Sequence, residues 1–281
     1  MKMLVTGGGG FLGKAIVKRL LQEGHSVSSL CRGDYPALSE LGVEVFRGDL
    51  ADEQSVLKAA KGCDRIYHVA AKAGVWGSYN DFYKPNVVGT ENILKACKAH
   101  QISKLIYTST PSVIHAGGDV EGINEAEPYP DHFETHYPAT KAMAEKMVLE
   151  ANGPSLQTVA LRPHLIWGPE DNHLVPRIVD RAKRGKLKLV GGGLKLIDSV
   201  YIDNAAEAHI LAGDKLSPEA SCAGKAYFIT QDAPIPSHEL INGILKSAGL
   251  GPVQRSVHPK VAYTAGAVLE GVYNLFGVKS E

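Results

Sequence analysis

Met3-Leu-Val-Thr-Gly-Gly-Gly-Gly-Phe-Leu-Gly13 is an apolar strand running straight into a glycine-dense turn near the start of the chain. The run Lys14 to Gln22 that follows has helical character, so the stretch predicts the opening strand–turn–helix unit of a nucleotide-binding sheet. Gly7, Gly10 and Gly13, with Phe11 and Leu12 between the last two, form the turn. Such glycines let the backbone approach a pyrophosphate, and the helix N-terminus aims unpaired N–H groups and a positive dipole end at it. Other readings stay open at this point. Gly8-x-Gly10-x-x-Gly13 also matches the general dinucleotide fingerprint. Gly8-x-x-x-x-Gly13-Lys14 is close to an ATPase phosphate loop, but Ala15 stands where that loop needs a hydroxyl for magnesium. A glycine-rich turn with no ligand is the remaining alternative.

Working outward, apolar strand-like runs alternate with helical ones. Val27–Leu30, Val43–Phe46, Arg65–Val69, Lys104–Tyr107 and Thr158–Leu161 read as further strands. Asp52–Ala60, Phe82–Ala99 and Ala139–Leu149 carry helical periodicity between them. Repeated β-α-β order predicts an α/β fold with a doubly wound parallel sheet, ligands binding beyond the carboxyl ends of its strands. After Pro163 the elements shorten and Pro and Gly become frequent, with strand-like pieces at Ile197–Ile202 and Ala226–Ile229. The expected organisation is a dinucleotide-binding Rossmann domain over residues 1–163. A smaller C-terminal substrate lobe over 164–281 is interwoven with it.

The bulk numbers exclude several function classes. Of 281 residues, 44% are hydrophobic and 21% charged, an ordinary globular balance. Thirty Lys+Arg against thirty Asp+Glu leave no net charge, so no electrostatic footprint for nucleic acid exists. The densest basic stretch, Arg177 to Lys188, has the spacing of a helix's wet face. Four scattered cysteines without a CxxC pair suggest neither disulfides nor zinc. His132 and His136 are four apart but bracketed by Pro130 and Pro138, with no third ligand placed nearby, so no metal is expected. No leader precedes the first strand and no apolar run reaches membrane-spanning length, which reads as a cytoplasmic protein. Val261–Val278, apolar but interrupted, reads as a lid or surface helix.

Tyr137-Pro-Ala-Thr-Lys141 is the second informative feature. Positions four apart share a helix face, and Pro138 fits a first turn, so Tyr137 stands at a helix entrance with Lys141 beside it. A lysine cation there is expected to depress the phenol pKa toward a range useful for proton transfer. Thr108-Ser109-Thr110 places three hydroxyls at the carboxyl end of the preceding strand. Thr108 and Ser109 are expected to satisfy backbone groups there.

With a glycine loop, strand-end hydroxyls and YxxxK in this order, the chain resembles the extended short-chain dehydrogenase/reductases. Further matches are Gly48-Asp49-Leu50, His68-Val69-Ala70-Ala71, Asn86-Val-x-Gly89-Thr90-x-Asn92, Leu161-Arg162-Pro163-x-x-Ile166-x-Gly168-Pro169 and Tyr201-Ile202-Asp203-Asn204-Ala205. Within that branch it resembles the 3β-hydroxysteroid dehydrogenase-like group, and above all the 2-alkyl-3-oxoalkanoate reductases of bacterial long-chain olefin biosynthesis. Ala70 to Ser78, Tyr107 to Val113, and Leu165 to Pro169 followed by Asp171-Asn-His173 carry that likeness. Such proteins usually continue for some tens of residues, whereas this sequence stops at Glu281, so either the C-terminus is naturally shorter or a tail is missing.

The resemblance implies that Tyr137 is the acid in reduction and the base in oxidation, that Lys141 binds the nicotinamide ribose, and that Thr110 holds the substrate carbonyl. Gly7, Gly10, Phe11, Leu12, Gly13, Asp49, Leu50, Ala70, Ala71, Pro163, Tyr137 and Lys141 would line the cofactor. At the end of the second strand stands Cys31-Arg32-Gly33, with no carboxylate before Asp34. A guanidinium suits a 2′-phosphate, so NADP(H) is expected, the alternative being an Arg32 that faces solvent. A β-keto acid also needs a cation near its carbonyl; Lys72, His164 and Arg177 are candidates, with Trp76 and Trp167 beside the alkyl arms. Expected partners are a long-chain small-molecule substrate and the downstream olefin-pathway enzymes, and the likeness leaves room for a homodimer. Rival readings are a hydroxysteroid dehydrogenase, a sugar-nucleotide epimerase/dehydratase, and a non-catalytic NADP-sensing scaffold.

Overall fold

Four consecutive residues of the first strand, β1 (Lys2–Thr6), namely Met3, Leu4, Val5 and Thr6, are out of contact with solvent, which only a central strand covered on both faces can achieve. The computed structural model describes residues 1–74 and 76–276. The chain continues through α1 (Phe11–Gln22), β2 (Ser26–Cys31), α2 (Pro36–Glu40), β3 (Glu44–Arg47), α3 (Glu53–Ala60) and β4 (Arg65–His68). Next come α4 (Tyr79–Tyr83), α5 (Gly89–His100), β5 (Lys104–Thr108), α6 (His136–Glu150), β6 (Gln157–Pro163) and β7 (Leu165–Trp167). The remainder holds α7 (Leu174–Lys183), β8 (Leu189–Val190), β9 (Leu196–Ile197), β10 (Ser199–Tyr201), α8 (Ile202–Lys215), β11 (Lys225–Ile229), β12 (Ile235–Pro236), α9 (Ser237–Ser247), β13 (Ser256–Val257) and α10 (Pro259–Phe276).

Seven strands form one parallel sheet in the order β11-β6-β5-β4-β1-β2-β3. The chain winds outward from β1 to β3, returns to lay β4 against the other side of β1, and winds outward again. The order therefore reverses between β1 and β4, and the crevice beyond their carboxyl ends is where a doubly wound sheet receives a ligand. Helices α3 and α5 pack together on one face, where α6 adds Ala144 and Val148 to Leu4, Ile66, Ile93, Ala96 and Leu105. On the other face α1 packs against α8.

Two compact units result: Met1–His164 with Ile202–Ile229, and Leu165–Tyr201 with the chain from Thr230. Residues 202–229, counted with the later lobe in the sequence reading, belong to the first unit, because β11 completes the sheet beside β6 and α8 covers it. The second unit has its own small core, in which α7 and α9 bury Ile178, Leu240, Ile244 and Leu245. Three two-stranded pairings, β7 with β10, β8 with β13 and β9 with β12, complete it.

Elements differ from the sequence reading in two informative places. Phe82–Ala99, expected as one helix, is α4, a wide π-helical turn over Lys84–Val88, and then α5. Pro85 lacks the N–H that a regular helix needs, and the wider turn absorbs the loss. Ile197–Ile202, expected as one strand, is β9 and β10 with Asp198 between, running into α8. The helix expected over Val261–Val278 is present as α10, with Val261, Tyr263, Val268 and Leu269 exposed; Val278, like Val75, lies outside the described residues. No helix among the described residues is long and apolar enough to cross a membrane.

Candidate active site

The turn between β1 and α1 is a cradle that side chains would fill. Gly7 sits at φ +70, and a Cβ on it would stand 2.9 Å from the Ala70 Cβ; one on Gly13 would stand 2.2 Å from the Gly7 carbonyl oxygen. The first fit keeps the loop tight against the end of β4; the second lets α1 start directly on the loop. Gly10 caps α1 without a side-chain hydrogen bond, and no acidic residue occupies the first turn. The opening N–H groups of α1, on Phe11, Leu12 and Gly13, thus have no capping side chain and carry the positive end of the helix dipole. An anion completes this arrangement, so the residues fit the pyrophosphate of a nicotinamide dinucleotide.

The residues expected on the adenosine side lie along the ends of β2 and β3. Arg32 follows β2 directly and is exposed; no carboxylate precedes Asp34 there. Asp49 accepts from the Ala51 N–H at 2.9 Å, and Leu50 is buried beneath α5. Gly89 is small for Leu50, since a Cβ on it would meet the Leu50 Cβ at 2.8 Å, and Asn92 Nδ2 holds the Leu50 carbonyl at 2.9 Å. Ala70 and Ala71 follow β4, where Thr6 Oγ1 accepts from the N–H groups of Val69 and Ala70 at 3.0 and 3.1 Å. With both lone pairs used, the Thr6 hydroxyl donates to His68 Nδ1 at 2.9 Å. His68 Nε2–H then donates to Thr90 Oγ1 at 3.0 Å, and Thr90 donates to the Asn86 carbonyl at 2.6 Å. Burial, with the Lys141 charge acting the same way, pushes the His68 pKa down to about 3, so the ring holds this crevice as a neutral strut.

At the end of β5 the structure brings Thr110, Tyr137 and Lys141 together. Tyr137 is the second residue of α6 and is half-buried, its phenol near enough to the Thr110 hydroxyl for the two to interact. Thr110 Oγ1 also accepts from the Ser112 N–H at 3.3 Å and lies 3.2 Å from Ser112 Oγ. One turn on, Lys141 is 2% exposed; its Nζ donates to the Thr108 carbonyl at 2.6 Å and sits 4.1 Å from the Tyr107 ring centroid. The charge logic of the sequence reading needs correcting here. Burial raises the Tyr137 pKa, with the Thr110 hydroxyl acting the other way. Burial instead lowers Lys141 itself to about 7, with the Glu145 charge opposing. The hydroxyls of Thr108 and Ser109 do not serve backbone groups either. Thr108 Oγ1 bonds His209 Nε2 at 2.9 Å, and Ser109 Oγ is buried with no partner among the described residues.

Behind Lys141 lies a network that sequence reading left out of the site. Glu145, one further turn along α6 and fully buried, accepts from Arg162 Nε at 3.0 Å and Nη2 at 2.6 Å, and from the Tyr129 hydroxyl at 2.6 Å. The four-residue step from Lys141 to Glu145 was the available signal, since it repeats the Tyr137–Lys141 spacing. Asn86 was the other omission. Its Oδ1 accepts from the Lys72 N–H at 2.7 Å, while Nδ2 donates to the Lys72 carbonyl at 3.1 Å and Thr140 Oγ1 at 3.0 Å, fastening the β4 exit to the first turn of α6.

The remaining substrate candidates divide between the units. Lys72 and His164 stand beyond the ends of β4 and β6, with β5 between them. Lys72 Nζ lies 5.9 Å from the Phe82 ring, and the His164 ring lies 5.4 Å from the Phe228 ring, tilted 57° to it. Trp76 is half-buried in the first unit, and Pro163, proposed against the cofactor, is buried at the end of β6. Trp167 and Arg177 belong to the second unit, Trp167 edge-on to Tyr201 at 5.2 Å and Arg177 on the exposed side of α7.

A model of the 3-beta hydroxysteroid dehydrogenase/isomerase family matches residues 4–259. The chain belongs to that family. It is therefore an oxidoreductase of the nicotinamide-dinucleotide-dependent type. A 2-alkyl-3-oxoalkanoate reductase of Stenotrophomonas maltophilia is 52% identical over 100% of this chain and 86% of its own length. A mouse sterol-4-alpha-carboxylate 3-dehydrogenase, decarboxylating, is 37% identical over 87% of this chain and 68% of its own. Among solved structures, Thermus thermophilus UDP-glucose 4-epimerase in complex with NAD superposes with a TM-score of 0.75 at 29% identity, covering 92% of this chain and 87% of that one.

Proposed function

We propose that this 3-beta hydroxysteroid dehydrogenase/isomerase family member reduces the ketone of a 2-alkyl-3-oxoalkanoate with NADPH, giving the 2-alkyl-3-hydroxyalkanoate. What carries the reading is the meeting of Tyr137, Thr110 and Lys141 at the end of β5, in a chain 52% identical throughout to a reductase of that name. The names of the relatives share one chemical feature. In a 2-alkyl-3-oxoalkanoate the carboxyl-bearing carbon adjoins C3, and in a sterol-4-alpha-carboxylate the same relation holds between C4 and C3. The substrate class is thus a carbonyl, or its alcohol, beside a carboxylated carbon.

The loop N–H groups of Phe11 and Leu12 would hold the dinucleotide, with Arg32 toward its adenosine end, and when bound it would supply the hydride that the ketone carbon takes up. Thr110 directs its hydroxyl to the carbonyl oxygen, and Tyr137 gives that oxygen a proton as charge develops. A phenol whose pKa is raised by burial stays protonated at neutral pH, the form an acid needs in the reductive direction. Lys141, buried one turn further along α6, would hold the ribose hydroxyls. Lys72 and His164 are the proposed partners of the substrate carboxylate, and Trp76 a wall for an alkyl arm. Exposed Arg32, with no carboxylate before Asp34, supports NADP(H), because a guanidinium pairs with a 2′-phosphate where an acidic residue would repel it.

The test is a 340 nm assay pairing NADPH or NADH with a 2-alkyl-3-oxoalkanoate, a 3-ketosteroid and UDP-glucose. Oxidation of NADPH by the first compound, at a kcat/KM at least tenfold above either other, is expected. Turnover of the steroid or the UDP-sugar in its place contradicts the substrate assignment, and equal use of NADH contradicts the cofactor assignment.

A further inference from the structure

Two glycines in the first unit are not explained by backbone conformation. Gly9 and Gly33 both have φ outside the left-handed region, so an L residue could adopt their geometry. One ring explains both. A Cβ on Gly9 would lie 2.4 Å from Tyr35 Cγ and Cδ1 and 2.5 Å from Cδ2, so the base of the Tyr35 ring rests directly on the phosphate loop. A Cβ on Gly33 would lie 3.2 Å from Tyr35 Cε2 and 3.4 Å from both Cζ and the phenol oxygen. The tip of the same ring therefore reaches the residue next to Arg32. Tyr35 is held there by its position just ahead of α2, where Pro36 starts the helix and the Leu38 N–H bonds the Tyr35 carbonyl at 2.9 Å. Tyr35 is nevertheless 38% exposed. An aromatic side chain that displaces two neighbouring side chains and still faces solvent is placed to meet a ligand rather than to fill a core.

We infer that Tyr35 is a specificity residue for the adenosine 2′-phosphate, its ring forming the wall between the phosphate loop and Arg32 and its hydroxyl donating to the phosphate. This rests on the reading of the cofactor as NADP(H) and deepens it. Arg32 supplies charge from an exposed stem; Tyr35, braced on two glycines, supplies a fixed donor and a fixed surface. Neither Asp34, the only carboxylate of this turn, nor any residue of the catalytic trio is needed for the contact.

Calorimetric titration of the full chain with 2′,5′-ADP and with ADP tests this without turnover. The wild type should bind 2′,5′-ADP more tightly. Tyr35→Phe should weaken 2′,5′-ADP about tenfold, as loss of a hydrogen bond to a charged group does, and leave ADP within about twofold. Gly9→Ala, which displaces the ring but keeps the phenol, should reduce the same preference. A wild-type preference that survives unchanged in both variants overturns the role of Tyr35 and leaves the NADP reading standing. Tighter binding of both nucleotides by Tyr35→Ala also overturns it, since the ring would then be a plug. Equal wild-type binding of the two nucleotides sinks the NADP reading itself, and this inference with it.

Discussion

Replacing Lys141 by methionine should make the ligand-free protein more stable while removing its activity. Lys141 is 2% exposed, and its pKa falls from 10.5 to about 7. Between those values the unfolded chain holds a proton that the folded chain does not, so stability rises with pH across that window, and the burden is fully present below pH 7. At about 1.4 kcal/mol for each pH unit, the burden is on the order of 5 kcal/mol. Methionine fills nearly the same volume with no charge to desolvate. It forfeits the hydrogen bond to the Thr108 carbonyl and the contact with the Tyr107 ring, together worth about 2 kcal/mol. The net expectation is a gain of roughly 2 to 4 kcal/mol at pH 7, or a Tm several degrees higher for a chain of this size. Differential scanning calorimetry at pH 6, 7, 8, 9 and 10 on both proteins is the assay. The advantage of Lys141→Met should be largest at pH 6 to 7 and shrink toward pH 10. A variant less stable than wild type at pH 7, or two parallel pH profiles, refutes the reasoning.

Three further perturbations have defined outcomes. Gly13→Ala drives a Cβ to 2.2 Å from the Gly7 carbonyl, so it should abolish dinucleotide binding by calorimetry and lower stability by about 1–3 kcal/mol in denaturant unfolding. Glu145→Gln leaves the Arg162 guanidinium buried without a counter-charge, a loss of about 3–5 kcal/mol; adding Arg162→Met should recover much of it, and failure to recover would show that the pair is not acting as a unit. Arg32→Ala should raise the KM for NADPH about tenfold and that for NADH less than twofold, because only one carries the phosphate the guanidinium would meet; equal effects would leave Arg32 facing solvent only.

Much of this architecture was legible in the residues because local and global signals agree. The apolar run of β1 and the glycines after it have one consistent reading, and the strand–helix alternation repeats it through β6. What escaped were effects that depend on distant parts of the chain. Pro85 divides a periodic helix because an α-helix cannot close around it, yet the wide turn that results is what lets Asn86 reach the Lys72 backbone and Thr140. Residues 202–229 looked like part of the later lobe because sheet neighbours need not be sequence neighbours, and β11 pairs with β6 some sixty residues earlier. The spacing of Tyr137 and Lys141 placed both on one face of α6, but spacing is silent on burial. Burial reverses the expected titration of Tyr137 and leaves Lys141 bound to a strand-end carbonyl. Glu145 and Arg162 stayed hidden for the same reason, since each looks like a surface charge until the other is opposite it.

The central claim is that the Tyr137 phenol delivers the proton to the ketone oxygen of a carboxylated substrate. Single-turnover oxidation of bound NADPH by a 2-alkyl-3-oxoalkanoate, followed at 340 nm for wild type and Tyr137→Phe after calorimetry has matched their NADPH affinities, measures it directly. A rate lower by about two to four orders of magnitude is expected in Tyr137→Phe, the range a positioned acid contributes. Equal rates in the two proteins would contradict it.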